Sequence, residues 1–281
     1  MTPSPATACH HHTAGKAVQS SFYWAMRLMP KVQREAMFVV YGFCREVDDI
    51  ADGTEAVDTK LNRLADWRTS VETLYTDAKP REDLFCLHHV VETYGLNKAD
   101  LIAVIDGMEM DARDQVRIKD AAEFDLYMDR VASAVGRLSD KVFGVEGGEA
   151  DRLAHHLGRG LQITNILRDL REDADRGRLY LPLSLLEEVG IETGRPEEVL
   201  AHPELHSVLD KLARQARDHF SQSQDALSHL DKAKTRPPRI MMAVYERVLN
   251  RLEARGLANT HISVRLPKWQ KLWLALYHGL F

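Results

Sequence analysis

Two short segments carry most of the side chains in this sequence that could do chemistry. The first reads CREVDDIADG and the second NILRDLRED. If each segment is helical, Asp48 and Asp52 share one face of the first helix, and Asp169 and Asp173 share one face of the second, because residues four apart lie on the same side. Both faces adjoin apolar residues, so these carboxylates are predicted to point into the protein interior.

Carboxylates in such positions need a compensating cation. Two carboxylates four residues apart on a helix repel each other, and burial of an unpaired charge costs far more. Mg²⁺ would resolve both costs because it prefers oxygen ligands and completes its coordination with water and phosphate oxygens. The two segments therefore predict a Mg²⁺ cluster that holds a diphosphate between facing helices. Its predicted ligands are Asp48, Asp52, Asn165, Asp169 and Asp173.

Two arginines strengthen this hypothesis. Arg45 and Arg168 each lie within one helical turn of the acids, and guanidinium groups bind phosphate oxygens well. Tyr41 and Gln162 continue the same two polar faces. One acidic pair alone would more commonly be a solvated helix face, but two pairs, each on an apolar helix and beside an arginine, favour the metal site. A di-iron bundle would need ExxH pairs, and the sequence contains none.

Helices are the elements that must position these side chains. No proline occurs between Pro80 and Pro182, and apolar residues in that stretch recur at intervals of three and four. Asn97 predicts a helix N-terminus, and FGVEGGEAD predicts a break between two helices. Without βαβ alternation, internal repeats or a recognisable linker, the chain predicts one all-α domain. Further helices are predicted at 31–52, about 205–230 and about 238–256.

Composition limits the remaining function classes. The 281 residues carry a net charge of -5, which argues against a surface built for nucleic acid. The three cysteines are odd in number and form no CxxC pair, so neither a disulfide framework nor a cysteine zinc site is expected, and a reducing, cytoplasmic location is predicted. No run of apolar residues is long enough to span a bilayer. Residues 1–18 lack the features of a secretory signal and predict a disordered N-terminal arm.

At these residues the sequence resembles the squalene and phytoene synthase family, the head-to-head prenyl transferases. The matching segments are SSFYWAMRLMP, YGFCREVDDIAD, YMDRVASAVG and LQITNILRDLREDADRGRLYLP. The resemblance runs from about Gln19 to about Arg265. VIDGMEMDA and DRVASAVGRLS are most similar to the bacterial branch that makes presqualene diphosphate for hopanoid biosynthesis. Ser133 stands where many members have glycine, which leaves the local helix packing and the cavity shape open.

The resemblance implies a single-domain, all-α isoprenoid synthase bundle with a central cavity over residues 19–281. It also implies a Mg²⁺-dependent condensation of two farnesyl diphosphates to presqualene diphosphate, with Arg45 and Arg168 stabilising the departing diphosphate. Asp49 would be an additional or outer metal ligand. Tyr127 would assist proton transfer, although the departing diphosphate is an alternative acceptor. The substrate-binding residues implied are Ser21, Phe22, Tyr41, Arg45, Gln162, Arg168, Tyr245 and Arg265.

The same residues are also compatible with other functions. A phytoene synthase would join two geranylgeranyl diphosphates, and a squalene synthase would add an NADPH-dependent reduction. NADPH is not expected, although the lack of a GxGxxG after a strand counts only slightly, because the family can bind NADPH without a Rossmann domain. A non-catalytic assembly or binding factor could share the fold, although all the metal positions hold competent ligands. An enzyme of squalene formation that acts downstream is a predicted partner. The C-terminal LPKWQKLWLALYHGLF predicts either contact with the inner face of a membrane or a terminal helix packed on the core.

Overall fold

The computed structural model describes residues 25–192, 195–267, 269–270 and 273–274. Its longer helices are α1 (Lys31–Ala51), α2 (Val57–Thr73), α3 (Phe85–Tyr94), α4 (Lys98–Asp111), α5 (Ala121–Met128), α6 (Ala134–Phe143), α7 (Gly148–Asp175), α10 (Leu205–Ser228) and α11 (Arg236–Arg255). Two one-turn helices, α8 (Leu183–Glu187) and α9 (Pro196–Leu200), follow α7. A 3₁₀ turn, Glu82–Leu84, precedes α3, and a π-helical turn, Asp129–Ser133, joins α5 to α6.

The central element is α7, a helix of 28 residues. It packs on α10, on α6, on the π-helical turn and on α11. Gly147 and Gly177 bracket it with positive φ angles of 92° and 72°, a conformation that glycine adopts without strain. The polar face of the second acidic segment is therefore held by a helix that is packed on several sides.

The apolar core consists of two clusters. One collects side chains of α1, α4 and α6, and the other collects side chains of α7, α10 and α11. Val131, in the π-helical turn, packs against both. Because α1 belongs to the first cluster and α7 to the second, the two acidic segments face each other across the boundary between them.

The π-helical turn lies directly against α7. A Cβ atom on Gly158 would approach the backbone of Ala132 and Ser133 to 2.9 Å, so only glycine permits this contact. The side chain of Ser133 is buried, accepts a hydrogen bond from Arg159 Nη1 at 2.6 Å and donates one to the carbonyl of His155. Arg159 is itself buried and forms a 2.8 Å ion pair with Asp125. The serine that departs from the family pattern thus gives a buried arginine a hydrogen-bond partner and fits the local packing.

We expect Gly158→Ala to lower the free energy of unfolding by about 1 to 3 kcal/mol, the usual effect of overpacking a core. The atoms nearest to the added Cβ belong to the backbone, so a change of side-chain rotamer cannot relieve the close contact. Gly148→Ala is the matched control, because a Cβ there meets nothing within 4 Å and alanine is the better helix former. Thermal and urea unfolding monitored by circular dichroism measure both variants. Wild-type stability of Gly158→Ala would contradict the close contact.

The all-α prediction is confirmed. Within the described residues, β pairing is limited to an isolated parallel bridge between Arg117 and Leu179. The helices predicted at 31–52, 205–230 and 238–256 correspond to α1, α10 and α11. Asn97 occupies the N-cap of α4 as expected, but its side chain makes no capping hydrogen bond and instead donates to Asp100.

The cysteines differ in part from the expectation. Cys44 is a free thiol, whereas Cys86 is disulfide-bonded. The cysteine pattern therefore gives no support to a reducing compartment, and the cytoplasmic location stays a prediction.

None of the described helices has the length and apolar character needed to cross a bilayer. The predicted N-terminal arm, residues 1–18, lies outside the described residues.

Candidate active site

A polar cavity of about 340 Å³ opens between α1, α7 and the segment that follows α7. It is lined by most of the residues that the sequence singled out: Arg45, Asp48, Asp52, Tyr127, Gln162, Asn165, Arg168, Asp169 and Asp173. Side chains that are more than a hundred positions apart in the chain meet here because α1 and α7 lie on opposite sides of the core boundary. The structure thus brings both acidic segments to one site.

On the α1 side, Arg45 pairs with two acids. Its Nη1 atom lies 2.5 Å from Asp48 Oδ2, and its Nη2 atom lies 2.9 Å from Asp49 Oδ1. Burial raises the pKa of Asp48, against the opposing effect of Arg45. Asp49 is turned towards the rim and is not among the cavity-lining residues. This placement follows from helix geometry, because Asp49 comes directly after Asp48 and therefore lies about 100° further around α1.

On the α7 side, Arg168 and Asp169 form a two-point ion pair, with distances of 2.8 Å from Nε to Oδ1 and 2.6 Å from Nη2 to Oδ2. Asn165 donates through Nδ2 to Gln162 Oε1 at 3.3 Å, and its own Oδ1 is buried without a hydrogen-bond partner. Burial, followed by the charge of Asp169, raises the pKa of Asp173 to about 7. This side of the cavity therefore offers oxygen atoms that the protein itself leaves poorly compensated.

Two arginines that the sequence analysis did not identify join the two sides. Arg178 Nη1 lies 2.6 Å from Asp52 Oδ1, and Arg176 Nη1 lies 3.1 Å from Asp52 Oδ2. Arg178 also donates to the carbonyl of Ala51 at 3.4 Å. The end of α1 is thus held by the segment after α7. Both arginines follow the second acidic segment directly, in DRGRLY, and that adjacency is the signal that could have identified them.

A buried carboxyl group, Asp111, forms the inner wall of the cavity. It accepts a hydrogen bond from the Tyr180 hydroxyl at 2.8 Å and one from the Tyr127 hydroxyl at 3.2 Å. The two rings stack with centroids 5.2 Å apart. Burial raises the pKa of Asp111 to about 7, although both hydroxyl groups and Arg178 oppose the shift. Asp111 and Tyr180 were also missed from the sequence, although an acid at the end of the apolar helix α4 is itself an indication.

Backbone pairing explains how Tyr180 reaches Asp111. The segment after α7 runs beside the segment after α4, with Leu179 donating to the carbonyl of Val116 at 3.0 Å and Leu183 donating to the carbonyl of Ile118 at 2.8 Å. Arg117 adds a side-chain hydrogen bond to the carbonyl of Gly177 at 2.7 Å. This short parallel contact fixes the position of Tyr180 at the cavity wall.

An apolar chamber of about 220 Å³ adjoins the polar cavity. Val131, Gln162 and Asn165 line both spaces, so the two meet at these side chains. Tyr41 and Tyr245, both predicted to bind substrate, line the chamber, and Tyr245 contributes to the raised pKa of Arg168. The remaining lining is largely apolar and comes mainly from α1, α6, α7 and α11. The site therefore combines a charged end with a hydrocarbon-like end.

The donor set fits a hard divalent cation. No group of three or more described His, Cys, Asp or Glu side chains is arranged as a metal site by itself. Mg²⁺ does not require such a group, because it commonly uses one or two carboxylates and takes its other ligands from phosphate and water. The buried, unpartnered Oδ1 of Asn165, close to carboxylates now paired with arginines, is an oxygen of the kind that such an ion binds.

Not every predicted residue reaches the site. Arg265 is exposed and lines neither space; its carbonyl accepts a hydrogen bond from Arg251 at 3.0 Å. Ser21 and Phe22 lie outside the described residues. Among the apolar side chains near the site, Met26, Val131 and Val135 line the chamber, and Met108 lines the polar cavity. Phe38 and Leu138 line neither space and belong to the core.

Comparison with known proteins gives a consistent result. The family model for squalene/phytoene synthase matches residues 16–270. The presqualene diphosphate synthase of Rhodopseudomonas palustris is 45% identical over 99% of this chain and 98% of its own length. The phytoene synthase of Mycobacterium bovis is 32% identical over 83% of this chain and 78% of its own length. The fold is similar to that of squalene synthase HpnC from Alicyclobacillus acidocaldarius, with a TM-score of 0.80, 21% identity and coverage of 90% of this chain and 94% of that one.

The match to the family model spans both acidic segments, the π-helical turn and the chamber-lining helices. It therefore includes every described residue that lines the polar cavity. The chain belongs to the squalene/phytoene synthase family.

Proposed function

We propose that this protein catalyses the Mg²⁺-dependent, head-to-head condensation of two farnesyl diphosphates to presqualene diphosphate and diphosphate. The observation that carries the proposal is the junction of a polar cavity, rich in arginine and aspartate, with an apolar chamber at Val131, Gln162 and Asn165. A prenyl diphosphate has the same division, with a charged head and a hydrocarbon tail. The substrate would lie with its diphosphate in the cavity and its chain in the chamber.

The arginines supply the binding groups for the diphosphate. Arg45 and Arg168 each donate to a carboxylate, and the same guanidinium groups would donate to the phosphate oxygens of a bound substrate. Their positive charge favours departure of the diphosphate, which is the step that creates the allylic cation. The apolar chamber then excludes water, which would otherwise capture the cation.

Asp48, Asp52, Asn165, Asp169 and Asp173 would hold Mg²⁺, with Asp49 as an outer ligand at the rim. When bound, Mg²⁺ supplies positive charge that stabilises the developing diphosphate anion. The proposal includes more than one ion, because the ligands come from both sides of the cavity. Asp52 forms ion pairs with Arg176 and Arg178, so at least one of these ion pairs would have to weaken for Asp52 to bind Mg²⁺.

The length of the prenyl chain is part of the proposal. Identity to the presqualene diphosphate synthase of R. palustris is 45%, against 32% to the phytoene synthase of M. bovis, and this difference supports C15 over C20 substrates. The proposed reaction ends at the cyclopropyl diphosphate and needs no NADPH. An enzyme that converts presqualene diphosphate onward to squalene remains the proposed partner.

The test is incubation of the full chain with farnesyl diphosphate and Mg²⁺, with and without NADPH, and in parallel with geranylgeranyl diphosphate. Products are identified by mass spectrometry. We expect presqualene diphosphate from the C15 substrate in both arms. Squalene formed only with NADPH would indicate a squalene synthase, and phytoene from the C20 substrate a phytoene synthase. No turnover of either substrate would point to a non-catalytic factor of the same fold.

We also propose that the protein works at the inner face of the membrane from the cytoplasmic side. Trp269 and Trp273, four residues apart and both helical, are 66% and 58% exposed. Indole side chains are favoured at membrane surfaces. We expect the double variant Trp269→Ala/Trp273→Ala to co-sediment less with anionic liposomes than the wild type does. Leu126→Ala removes another exposed apolar side chain, at 45% exposure, and is the control. Equal partitioning of all three proteins would contradict membrane contact through these tryptophans.

A further inference from the structure

Tyr127 cannot act as a base by itself. Burial and the neighbouring Asp111 raise its pKa well above the ordinary value, so its hydroxyl group is neutral at physiological pH. A neutral phenol accepts a proton from carbon only if it gives up its own proton at the same time. The group that receives the Tyr127 hydrogen bond is therefore decisive, and it is Asp111 Oδ2, at 3.2 Å.

The surroundings of Asp111 suit a proton acceptor. Asp111 is 7% exposed, and its carboxyl group is held from the other side by the Tyr180 hydroxyl at 2.8 Å, so both oxygens have fixed directions. Among the charged groups around it, Arg178 favours the carboxylate, whereas Asp48 and Asp173 disfavour it. Its pKa of about 7 lets it lose a proton and take one up again near neutrality. A carboxylate with an ordinary pKa would be a much weaker acceptor.

We propose that Asp111 takes up the proton that Tyr127 passes on when the cyclopropane ring closes. This inference rests on the proposed function. In the step, a C–H bond at C1 of one farnesyl unit breaks, and its electron pair forms the carbon–carbon bond that closes the ring and neutralises the carbocation. The proton goes to the Tyr127 oxygen while the Tyr127 hydroxyl proton goes to Asp111 Oδ2. The carboxylate becomes a carboxylic acid, so the charge of the intermediate and that of Asp111 cancel.

In this scheme Asp111 acts through Tyr127 and is a positioning and proton-accepting residue. Tyr180 orients the carboxylate and leaves Oδ2 free to face Tyr127. Asp111 comes from the end of α4, Tyr127 from α5 and Tyr180 from the segment after α7, so three elements must be in register. Backbone hydrogen bonds between the segments that follow α4 and α7 hold these elements in position relative to one another.

The test is a kinetic isotope effect. Product formation is measured with farnesyl diphosphate carrying hydrogen or two deuterium atoms at C1, for wild type, Asp111→Asn and Tyr127→Phe. We expect each variant to form product about 10²-fold more slowly and with a larger isotope effect than the wild type, because loss of the C1 proton becomes the slow step. The double variant should be no slower than the slower single variant, since the two groups act in series.

An isotope effect is a ratio within one enzyme preparation, so incomplete folding of a variant leaves it unchanged. If Asp111→Asn does not fold, Tyr180→Phe, which removes the hydroxyl that orients the Asp111 carboxylate, should also raise the isotope effect, and an unchanged isotope effect in that variant would count against the relay. Asp106→Asn, also in α4, and Tyr75→Phe, whose hydroxyl bonds to the carbonyl of Leu96, are matched controls with wild-type rates and isotope effects.

A wild-type rate for Asp111→Asn, or a slower rate with an unchanged isotope effect, would overturn the relay and leave the departing diphosphate as the proton acceptor. Failure of the wild type to convert farnesyl diphosphate would instead overturn the proposed function.

Discussion

Asp169→Asn is expected to lower Mg²⁺-dependent turnover by at least about 10³-fold. Asp169 lines the polar cavity and makes a two-point ion pair with Arg168. Asparagine keeps the size of the side chain but removes the negative charge that would bind the cation. A loss of several kcal/mol of charge stabilisation has this effect on the rate, since each 1.36 kcal/mol is a factor of ten. Asp48→Asn, on the opposite side of the cavity, is expected to behave in the same way.

The measurement is product formation as a function of Mg²⁺ concentration, together with the thermal stabilisation that Mg²⁺ and inorganic diphosphate give each protein. Asp175→Asn is the control, because Asp175 ends α7, is exposed and does not line the cavity. The wild type and the control should be stabilised by the two ligands together, and Asp169→Asn much less. Full activity in Asp169→Asn or in Asp48→Asn would refute the metal site.

Filling the apolar chamber is expected to have the second largest effect. Val135, in α6, lines the chamber and is half-buried. In Val135→Trp the indole ring would occupy space that the prenyl chain needs, so kcat/KM for farnesyl diphosphate should fall by at least about 10²-fold, since small displacements of a reacting group already have effects of this size. The stability of the folded protein should change little, because the ring enters an existing space.

Val32→Trp is the matched control, since Val32 lies in α1 with 68% of its surface exposed. Steady-state kinetics with farnesyl diphosphate and thermal unfolding are compared for the two variants. If Val135→Trp kept the wild-type kcat/KM, the chamber adjoining the polar cavity would not be the site of the hydrocarbon chain.

Local sequence pattern predicted much of the fold. The apolar period of three and four and the long proline-free stretch predicted the helices, and the positions of α1, α10 and α11 agree with the expectation. The acidic faces of α1 and α7 were predicted for the same reason, since side-chain direction along a helix follows from residue spacing alone. Whether two such faces meet depends on packing, and here both line one cavity.

The residues that were missed share one physical property. Tyr180 and Asp111 are 69 positions apart, and Arg178 and Asp52 are 126 positions apart. Their contacts depend on where an irregular segment runs after a helix ends, and periodicity carries no information about that path. Arg265 shows the opposite kind of difference, a predicted residue that does not reach the site. It was assigned to phosphate binding by resemblance alone, but it is exposed and lines neither the polar cavity nor the apolar chamber.

The sequence by itself determined the helical class, the two acidic faces and the arginines beside them, because each of these follows from residue types within one or two helical turns. Only the tertiary structure decided that CREVDDIADG faces NILRDLRED across one cavity, that an apolar chamber adjoins it and that a buried carboxyl receives two tyrosine hydroxyls. These features depend on long-range packing, above all on the approach of the π-helical turn to Gly158 and on the paired segments that follow α4 and α7.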